Sequence, residues 1–129
     1  MSDCIFCQIV KKEIPCYKIY EDNLFLGFLD INPRVLGHSL LAPKIHYRWA
    51  YDVPEFKQMW QTVLKITKTM QKTLKPTFIT YVTHGLEVAH AHIHIMPRQN
   101  ETEFVPKIIT VSKEKMGKTA KLIFENIEK

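Results

Sequence analysis

Residues 90–98 read HAHIHIMPR, and this stretch decides how the rest of the chain is interpreted. His90, His92 and His94 alternate with alanine and isoleucine, which is the period-two pattern of a β-strand. Alternate side chains of a strand share one face and lie roughly 6.6 Å apart, so we expect the three imidazoles in a row. Imidazole titrates near neutral pH, attacks phosphorus and ligates metals. The alternative is an exposed polar face, but such faces are normally built from Lys, Glu and Thr.

Length and composition predict a single domain covering residues 1–129, because 46% hydrophobic residues suffice for one core. No run of about 18 apolar residues could span a membrane, and the N-terminal residues lack a signal-peptide pattern. Three cysteines are an odd set that suits a reducing compartment, so we expect a cytoplasmic protein without a membrane partner. The net charge of +5 is scattered, which favours anionic ligands without demanding nucleic acid.

The pattern around the histidine stretch predicts both strands and helices. The predicted strands are residues 18–21, 24–29, 38–42, 77–82 and 90–96, and the predicted helices are residues 5–12, 53–74 and 112–127. We expect Asp52 to cap the long helix and Ser112 to cap the last one. Because strands and helices do not alternate strictly, the order favours an α+β domain with an antiparallel sheet.

Cys4 and Cys7 form a CxxC pair near the start of the chain. Such a pair suits a redox motif, half of a metal site or two core residues. A redox motif would sit inside a βαβ unit, which makes zinc the better interpretation. Structural zinc takes four N or S ligands, so two more donors must come from the histidines. His46 is the best third ligand, with an exposed loop histidine as the alternative. We expect His38 to be a packed or backbone-bonded residue.

Residues 3–98 resemble the histidine triad family of nucleotide-binding proteins, in particular its small branch of nucleoside phosphoramidate and dinucleotide hydrolases. The matching pieces are CIFCQIVKKEIP with KIYEDN, FLGFLDINPRVLGHSLLAPKIHY and HAHIHIMPR, in the family's order. The resemblance implies an α+β fold with a five-stranded antiparallel sheet. It also implies one long central helix, a short N-terminal helix, a C-terminal helix within residues 112–129, and a homodimer.

The same resemblance assigns catalytic roles. His92 becomes the nucleophile that attacks the α-phosphorus of a nucleoside phosphoramidate, adenylated amine or dinucleoside polyphosphate. It would carry the nucleotidyl group until water releases the monophosphate. His94 would donate a hydrogen bond to the phosphate or the leaving group, a role typically worth about 10²- to 10³-fold in rate.

The resemblance also implies a nucleotide site for a purine nucleotide. Asp30 matches the family's acidic residue that accepts hydrogen bonds from the ribose hydroxyls, although local sequence alone would also allow a turn residue. The other implied contacts are Phe6, Ile9, Phe28 and Ile31 around the base, with ordinary core as the alternative, and Gly85 and Glu87 near the phosphate.

Family members with a leading CxxC bind zinc through both cysteines, the histidine after a Pro-Lys segment and the first triad histidine. The resemblance therefore implies a zinc site made of Cys4, Cys7, His46 and His90. Two sulfur and two nitrogen donors are the composition of a closed structural site, which holds the chain together and activates no water.

The chain departs from the family pattern just before the triad, where relatives carry a longer loop. Leu86 replaces a glutamine, and Glu87 stands where phosphoramidate hydrolases often have serine. A carboxylate near phosphate is repulsive unless it is protonated, turned away or placed to assist the leaving group. Two hypotheses follow: a nucleotidyl hydrolase, or a nucleotide-binding or interaction protein with weakened turnover. A metal centre made of the three triad histidines ranks third.

Overall fold

The predicted strands and helices are present in the computed structural model, which describes residues 3–127. In chain order they are α1 Ile5–Val10, β1 Lys18–Glu21, β2 Phe25–Leu29, β3 Ser39–Pro43, α2 Phe56–Thr73, β4 Phe78–Val82, β5 Ile93–Arg98 and α3 Lys113–Asn126. The last two residues of the predicted C-terminal segment 112–129 lie outside the described residues.

The five strands form one antiparallel sheet in the order β1-β2-β3-β5-β4. Strand β5 lies between β3 and β4, and within it His94 is paired with Leu40 on one side and Val82 on the other. This arrangement confirms the expected α+β fold with a five-stranded antiparallel sheet. Because β5 is an internal strand, pairing on both edges fixes the register of His94.

The two faces of the sheet carry different layers. The first face packs against α2 and α3 and forms the larger core, which includes Phe25, Leu29, Leu41, Ile93, Ile95, Met59, Ile66, Met70 and Ile123. The second face carries α1 and a smaller cluster of Phe6, Leu26, Phe28, Leu40 and Ala42. Side chains alternate between faces along a strand, so His94 points away from the larger core.

Strand β5 begins at Ile93, three residues after its predicted start at His90. Only His94 of the triad therefore lies in the strand itself. The residues just before the strand are held by a side-chain hydrogen bond instead of strand pairing: Nε2 of His90 donates to the carbonyl of Pro43 at 2.8 Å. The rings of His92 and His94 are still neighbours, with centroids 4.9 Å apart.

Helix α2 begins at Phe56, and the prediction that Asp52 caps it is wrong. Glu55 occupies the cap position without a side-chain hydrogen bond, and Asp52 ends a separate 3₁₀ turn. Val53 between them is extended, with φ −72° and ψ 119°. A residue before proline is pushed out of the helical region, so Pro54 separates Asp52 from the helix.

Helix α1 ends at Val10, two residues before its predicted end at Lys12. Lys12 has a φ of 66°, which lies outside the right-handed helical region. Phe6 and Cys7 are the buried residues of α1, and the Phe6 ring meets Phe28 edge-on at 5.3 Å. The short helix therefore covers part of the second face of the sheet.

Helix α3 begins under its predicted cap, because Ser112 Oγ accepts a hydrogen bond from the backbone N–H of Lys115 at 3.1 Å. It packs against α2 and β1. Within residues 3–127, none of the helices combines the length and apolar character needed to cross a bilayer.

Candidate active site and metal centre

A cleft of about 270 Å³ opens on the second face of the sheet, beside α1. Eight residues predicted for catalysis or nucleotide contact line it: Phe6, Ile9, Phe28, Asp30, Ile31, Glu87, His92 and His94. We call this space the histidine cleft. Apolar walls with a few convergent polar groups are typical of small-molecule sites.

Gly85 is the predicted contact that does not line the histidine cleft. Its carbonyl accepts a hydrogen bond from Arg48 Nη1 at 2.9 Å, which directs it elsewhere. Gly85 has a φ of 79°, and a Cβ there would lie 3.1 Å from the Trp49 ring. This glycine therefore serves a tight turn against Trp49, while Glu87 and Val88 of the same loop reach the cleft.

His92 presents a neutral ring nitrogen to the cleft. Its Nδ1 lies 2.6 Å from the carbonyl oxygen of His90, and because a carbonyl only accepts, Nδ1 carries the proton. Burial lowers the pKa of His92, although this backbone hydrogen bond and the nearby Asp30 and Glu87 carboxylates oppose the shift. The ring is therefore neutral at pH 7 and its Nε2 keeps a free lone pair.

His94 is held in the opposite tautomer by a relay through His38. The backbone N–H of Arg34 donates to His38 Nδ1 at 3.1 Å, so the proton of the His38 ring is on Nε2. That Nε2–H donates to His94 Nδ1 at 2.9 Å. Burial lowers the pKa of His38 to about 4 and of His94 to about 3, so both rings are neutral. His94 is left with an Nε2–H as its free donor.

Asp30 combines the two roles that the sequence left open. Its Oδ1 accepts from the backbone N–H of Asn32 at 2.9 Å, as a turn residue does. Its Oδ2 lies 3.6 Å from His38 Nε2, and the side chain lines the histidine cleft. Each carboxylate oxygen can accept more than one hydrogen bond, so the turn leaves acceptor capacity for a ligand.

Cys4, Cys7, His46 and His90 form a compact group whose ligand atoms all lie within 4.8 Å of one another. Cys4 Sγ is 3.3 Å from His90 Nδ1, and Cys7 Sγ is 3.4 Å from His46 Nδ1 and 3.6 Å from His90 Nδ1. A tetrahedral zinc site places S and N donors about 3.6 Å apart. The four residues therefore fit a zinc ion in both donor type and spacing.

The orientation of His90 also suits a metal ligand. Its Nε2–H donates to the Pro43 carbonyl, so Nδ1 has the lone pair and faces the two sulfurs. Burial and the neighbouring Cys4 raise the pKa of Cys7, so without a cation this thiol keeps its proton. Zinc binding would displace that proton and supply the compensating charge.

A second group of potential ligands consists of Asp30, His38 and His94. It is poorly suited to a metal, because the His38 Nε2 that would bind the ion carries the ring proton. Moving that proton to Nδ1 would set it against the Arg34 N–H. Among the described residues, neither metal-capable group unites the three triad histidines, which disfavours the three-histidine metal centre.

Arg34 and Ile108 are among the residues that line the histidine cleft without having been predicted as contacts. Arg34 lies inside the quoted FLDINPR stretch and could have been found there. Ile108 belongs to a segment without periodicity, which reaches the cleft through long-range bonds. Arg34 Nη1 donates to the Pro106 carbonyl at 2.7 Å, and Ile109 N–H donates to the Pro33 carbonyl at 2.8 Å.

Relatives of the chain share both its sequence and its fold. The adenosine 5'-monophosphoramidase of Saccharomyces cerevisiae is 36% identical over 103 residues, which cover 76% of this chain and 64% of that protein. A HIT-like protein of Bartonella henselae superposes with a TM-score of 0.85 at 32% identity, covering 98% of this chain and 97% of that one.

A zinc-bound histidine triad family protein of Mycobacterium smegmatis superposes with a TM-score of 0.80 at 28% identity. The match covers 98% of this chain and 94% of that one. The family model described as the HIT domain matches residues 11–101, well over half of the chain. His38, His92 and His94 all lie within the matched residues. The chain therefore belongs to the histidine triad (HIT) family.

Proposed function

We propose that the protein is a nucleotidyl hydrolase that cleaves nucleoside phosphoramidates, adenylated amines or dinucleoside polyphosphates at the α-phosphorus. The observation that carries the proposal is the hydrogen bond from His92 Nδ1 to the His90 carbonyl, which leaves Nε2 free in the histidine cleft. The S. cerevisiae relative is an adenosine 5'-monophosphoramidase, which supports the same class of reaction.

The proposed reaction has two steps with His92 as the nucleophile. In the first, the Nε2 lone pair bonds to the α-phosphorus, and the bond to the leaving group breaks with its electrons on that group. For an amine, the departing nitrogen takes its proton from solvent, while the Nε2–H of His94 donates a hydrogen bond to the phosphate or the leaving group. The nucleotidylated ring is then cationic, and the His90 carbonyl stabilises its Nδ1–H.

In the second step, water attacks the same phosphorus and the bond to His92 breaks, which restores the free Nε2 lone pair. One proton of that water passes to solvent and replaces the one that the amine took, and the nucleoside monophosphate is released. His92 thus acts through a bare Nε2 and His94 through an Nε2–H, so the two rings work from opposite tautomers.

The lining of the histidine cleft supports a nucleoside as the bound group. The aromatic and aliphatic side chains of Phe6, Ile9, Phe28 and Ile31 offer an apolar wall for a purine base. Asp30 would accept hydrogen bonds from the ribose hydroxyls, with the capacity left by its turn contact. Apolar walls discriminate weakly between purines, so we expect little base preference.

We further propose a structural zinc ion bound by Cys4, Cys7, His46 and His90. The spacing of the donor atoms and the zinc-bound M. smegmatis relative support this assignment. Zinc there would cross-link the segments that carry its ligands and would take no part in the chemistry.

We also propose that residues 1–129 form one domain that works as a homodimer in the cytoplasm. Among residues 3–127 all three cysteines are free, which supports a reducing compartment. Strand β4 is an edge strand with half-exposed Phe78 and Tyr81, which supports a partner along this edge.

The test is turnover of adenosine phosphoramidate by the wild type, His92→Ala and His84→Ala. His84 is an exposed histidine of the preceding loop, so its variant controls for the substitution itself. We expect the His92→Ala rate to fall about 10³-fold or more and the control rate to stay unchanged. Intact-protein mass spectrometry after rapid mixing should detect the mass of a bound adenylyl group only where His92 is present.

The same experiment distinguishes the hydrolase from the alternative, a nucleotide-binding protein with weakened turnover. If wild type binds AMP but releases no product from phosphoramidates or dinucleoside polyphosphates, the protein is a nucleotide-binding protein without this activity. Equal turnover by His92→Ala and wild type would contradict the assignment of the nucleophile.

A further inference from the structure

A second hollow adjoins the histidine cleft and shares one wall with it. This outer hollow measures about 340 Å³, and Ile5, Glu87 and Val88 line both spaces. A substrate with its α-phosphorus at His92 has its nucleoside in the cleft, so its leaving group must depart on another side. The shared wall makes the outer hollow an exit for that group.

Two carboxylates and one guanidinium line the outer hollow, together with Cys4 and His46 of the metal group. Glu87 lies on the shared wall with an exposed side chain, and Asp3 lines the hollow itself. Arg48 also lines it, but its Nη1 donates to the Gly85 carbonyl and its guanidinium lies 3.6 Å from the Trp49 ring. Glu87 is therefore the charged group common to the reacting centre and the exit.

We propose that Glu87 selects leaving groups that carry positive charge, such as amines with a second ammonium group, over anionic ones such as polyphosphates. The inference rests on the proposed function and narrows its substrate class. The covalent step is unchanged: the P–N bond breaks with its electrons on the amine nitrogen, which takes a proton from solvent. Glu87 acts only on the remaining charge of the leaving group.

The expected effect is modest because Glu87 is exposed to solvent. Pairs of exposed charges contribute enough for about a two- to fivefold change in a rate or equilibrium constant per unit charge. Removal of the Glu87 charge should slow the reaction of cationic leaving groups and speed that of anionic ones. The ratio of the two rates therefore changes more than either rate does. Salt should weaken the selection, since the Debye length shrinks from about 10 Å at 0.1 M to about 3 Å at 1 M.

The test uses three adenosine phosphoramidates with equal three-carbon chains that end in an ammonium, a hydroxyl or a carboxylate. The amines are 1,3-diaminopropane, 3-aminopropanol and 3-aminopropanoic acid. For each compound, kcat/KM of Glu87→Gln is divided by kcat/KM of the wild type. Differences in intrinsic reactivity between the amines cancel in this ratio. Glu87→Ser is the second variant, and Glu114→Gln, which removes an exposed charge from α3 on the other face, is the matched control.

We expect Glu87→Gln to lower kcat/KM about two- to fivefold for the ammonium compound and to raise it similarly for the carboxylate compound. The hydroxyl compound should change least, Glu114→Gln should preserve the wild-type ranking, and about 0.5 M salt should shrink the contrast. If wild type hydrolyses the hydroxyl compound but both Glu87 variants show equal ratios for all three substrates, the inference is overturned alone. If wild type hydrolyses none of the three, and also releases no product from adenosine phosphoramidate or a dinucleoside polyphosphate, the proposed function falls with the inference.

Discussion

The histidines of the site differ in the hydrogen-bonding group that each ring meets, and for three of the four this is a backbone group. One backbone carbonyl accepts a hydrogen bond from Nδ1–H of His92, and another accepts one from Nε2–H of His90. The backbone N–H of Arg34 fixes the tautomer of His38 by donating to its Nδ1. Backbone groups cannot change their donor or acceptor character. Four chemically identical side chains are therefore prepared for four proposed tasks: a nucleophile, a hydrogen-bond donor, a metal ligand and a positioning residue.

The relay predicts that His38 acts through His94 although it does not line the histidine cleft. His38→Ala removes the donor to His94 Nδ1, so the His94 ring can hold its proton on either nitrogen. We expect kcat on adenosine phosphoramidate to fall about 10- to 100-fold with little change in KM. His38→Gln, whose amide N–H can replace the donor, should recover a large part of the loss.

Nitrogen-15 NMR of the histidine rings distinguishes this role from a merely structural one. Two-bond proton-nitrogen correlations should show His92 protonated at Nδ1 and His94 at Nε2 in the wild type. In His38→Ala we expect His94 to show a mixture of tautomers while His92 is unchanged. An Nδ1–H on His94 in the wild type would contradict the relay.

The proposed zinc group would tie α1 to the segments that follow β3 and precede β5. Cys4 and Cys7 belong to the start of α1, His46 follows β3, and His90 precedes β5. Helix α1 spans only six residues, too few for stability on its own, and it forms one wall of the histidine cleft. We therefore expect the position of α1 to depend on the proposed metal as well as on the packing of Phe6 against Phe28.

For helix α1, we predict that removal of zinc loosens its packing on the sheet. Purified wild type should contain one zinc per chain, and Cys4→Ser or Cys7→Ser should lose it. We expect the free energy of unfolding of these variants to fall by at least about 2–4 kcal/mol. Metal analysis and urea unfolding give the two readouts.

Cys16→Ser is the matched control, because Cys16 is the remaining cysteine and lies outside the metal group. It should keep its zinc, as should His92→Ala. Full zinc content in Cys4→Ser and Cys7→Ser would refute the proposed ligand set.

Local patterns in the sequence predicted most elements, and the exceptions have physical causes. Ser112 was recognised as a cap because its hydroxyl serves an N–H three residues on, a purely local interaction. Asp52 looks equally suitable in sequence, but Pro54 forces Val53 to be extended. The start of β5 was misplaced because His90 bonds to Pro43, a residue 47 positions away that no local pattern includes.

Motif matching located the candidate residues, and the tertiary structure explained how they cooperate. The triad and the CxxC pair are visible in sequence because their residue types are distinctive. The bond between His38 and His94 joins residues 56 positions apart, and Ile108 reaches the cleft through a long-range backbone bond. Such contributors follow from the packing of the whole chain and have no local signature.

For the molecule as a whole, the apolar groups on α2 and the adjoining edge strand β4 predict the dimer surface. Leu64 of α2 is 53% exposed, and α2 contacts β4 through the 2.7 Å bond between the Thr67 and Tyr81 hydroxyl groups. We expect wild type to elute from gel filtration as a dimer and Leu64→Lys to shift towards the monomer. A buried lysine at the interface would be left without a partner.

Leu122→Lys provides the control, because Leu122 is 41% exposed on α3, away from β4. It should elute like the wild type. A monomeric wild type at micromolar concentration would contradict the dimer, and a dimeric Leu64→Lys would place the interface elsewhere.

His90 offers one ring nitrogen to the zinc group and its backbone carbonyl to the nucleophile. A substitution of His90 would be pleiotropic, because it removes a proposed metal ligand and can also shift the carbonyl that holds the His92 ring. Geneticists seeking separation-of-function alleles should therefore avoid this position. Lesions at His92 would isolate the loss of chemistry, whereas lesions at Cys4 or His46 would remove the metal without touching the carbonyl that holds the His92 ring.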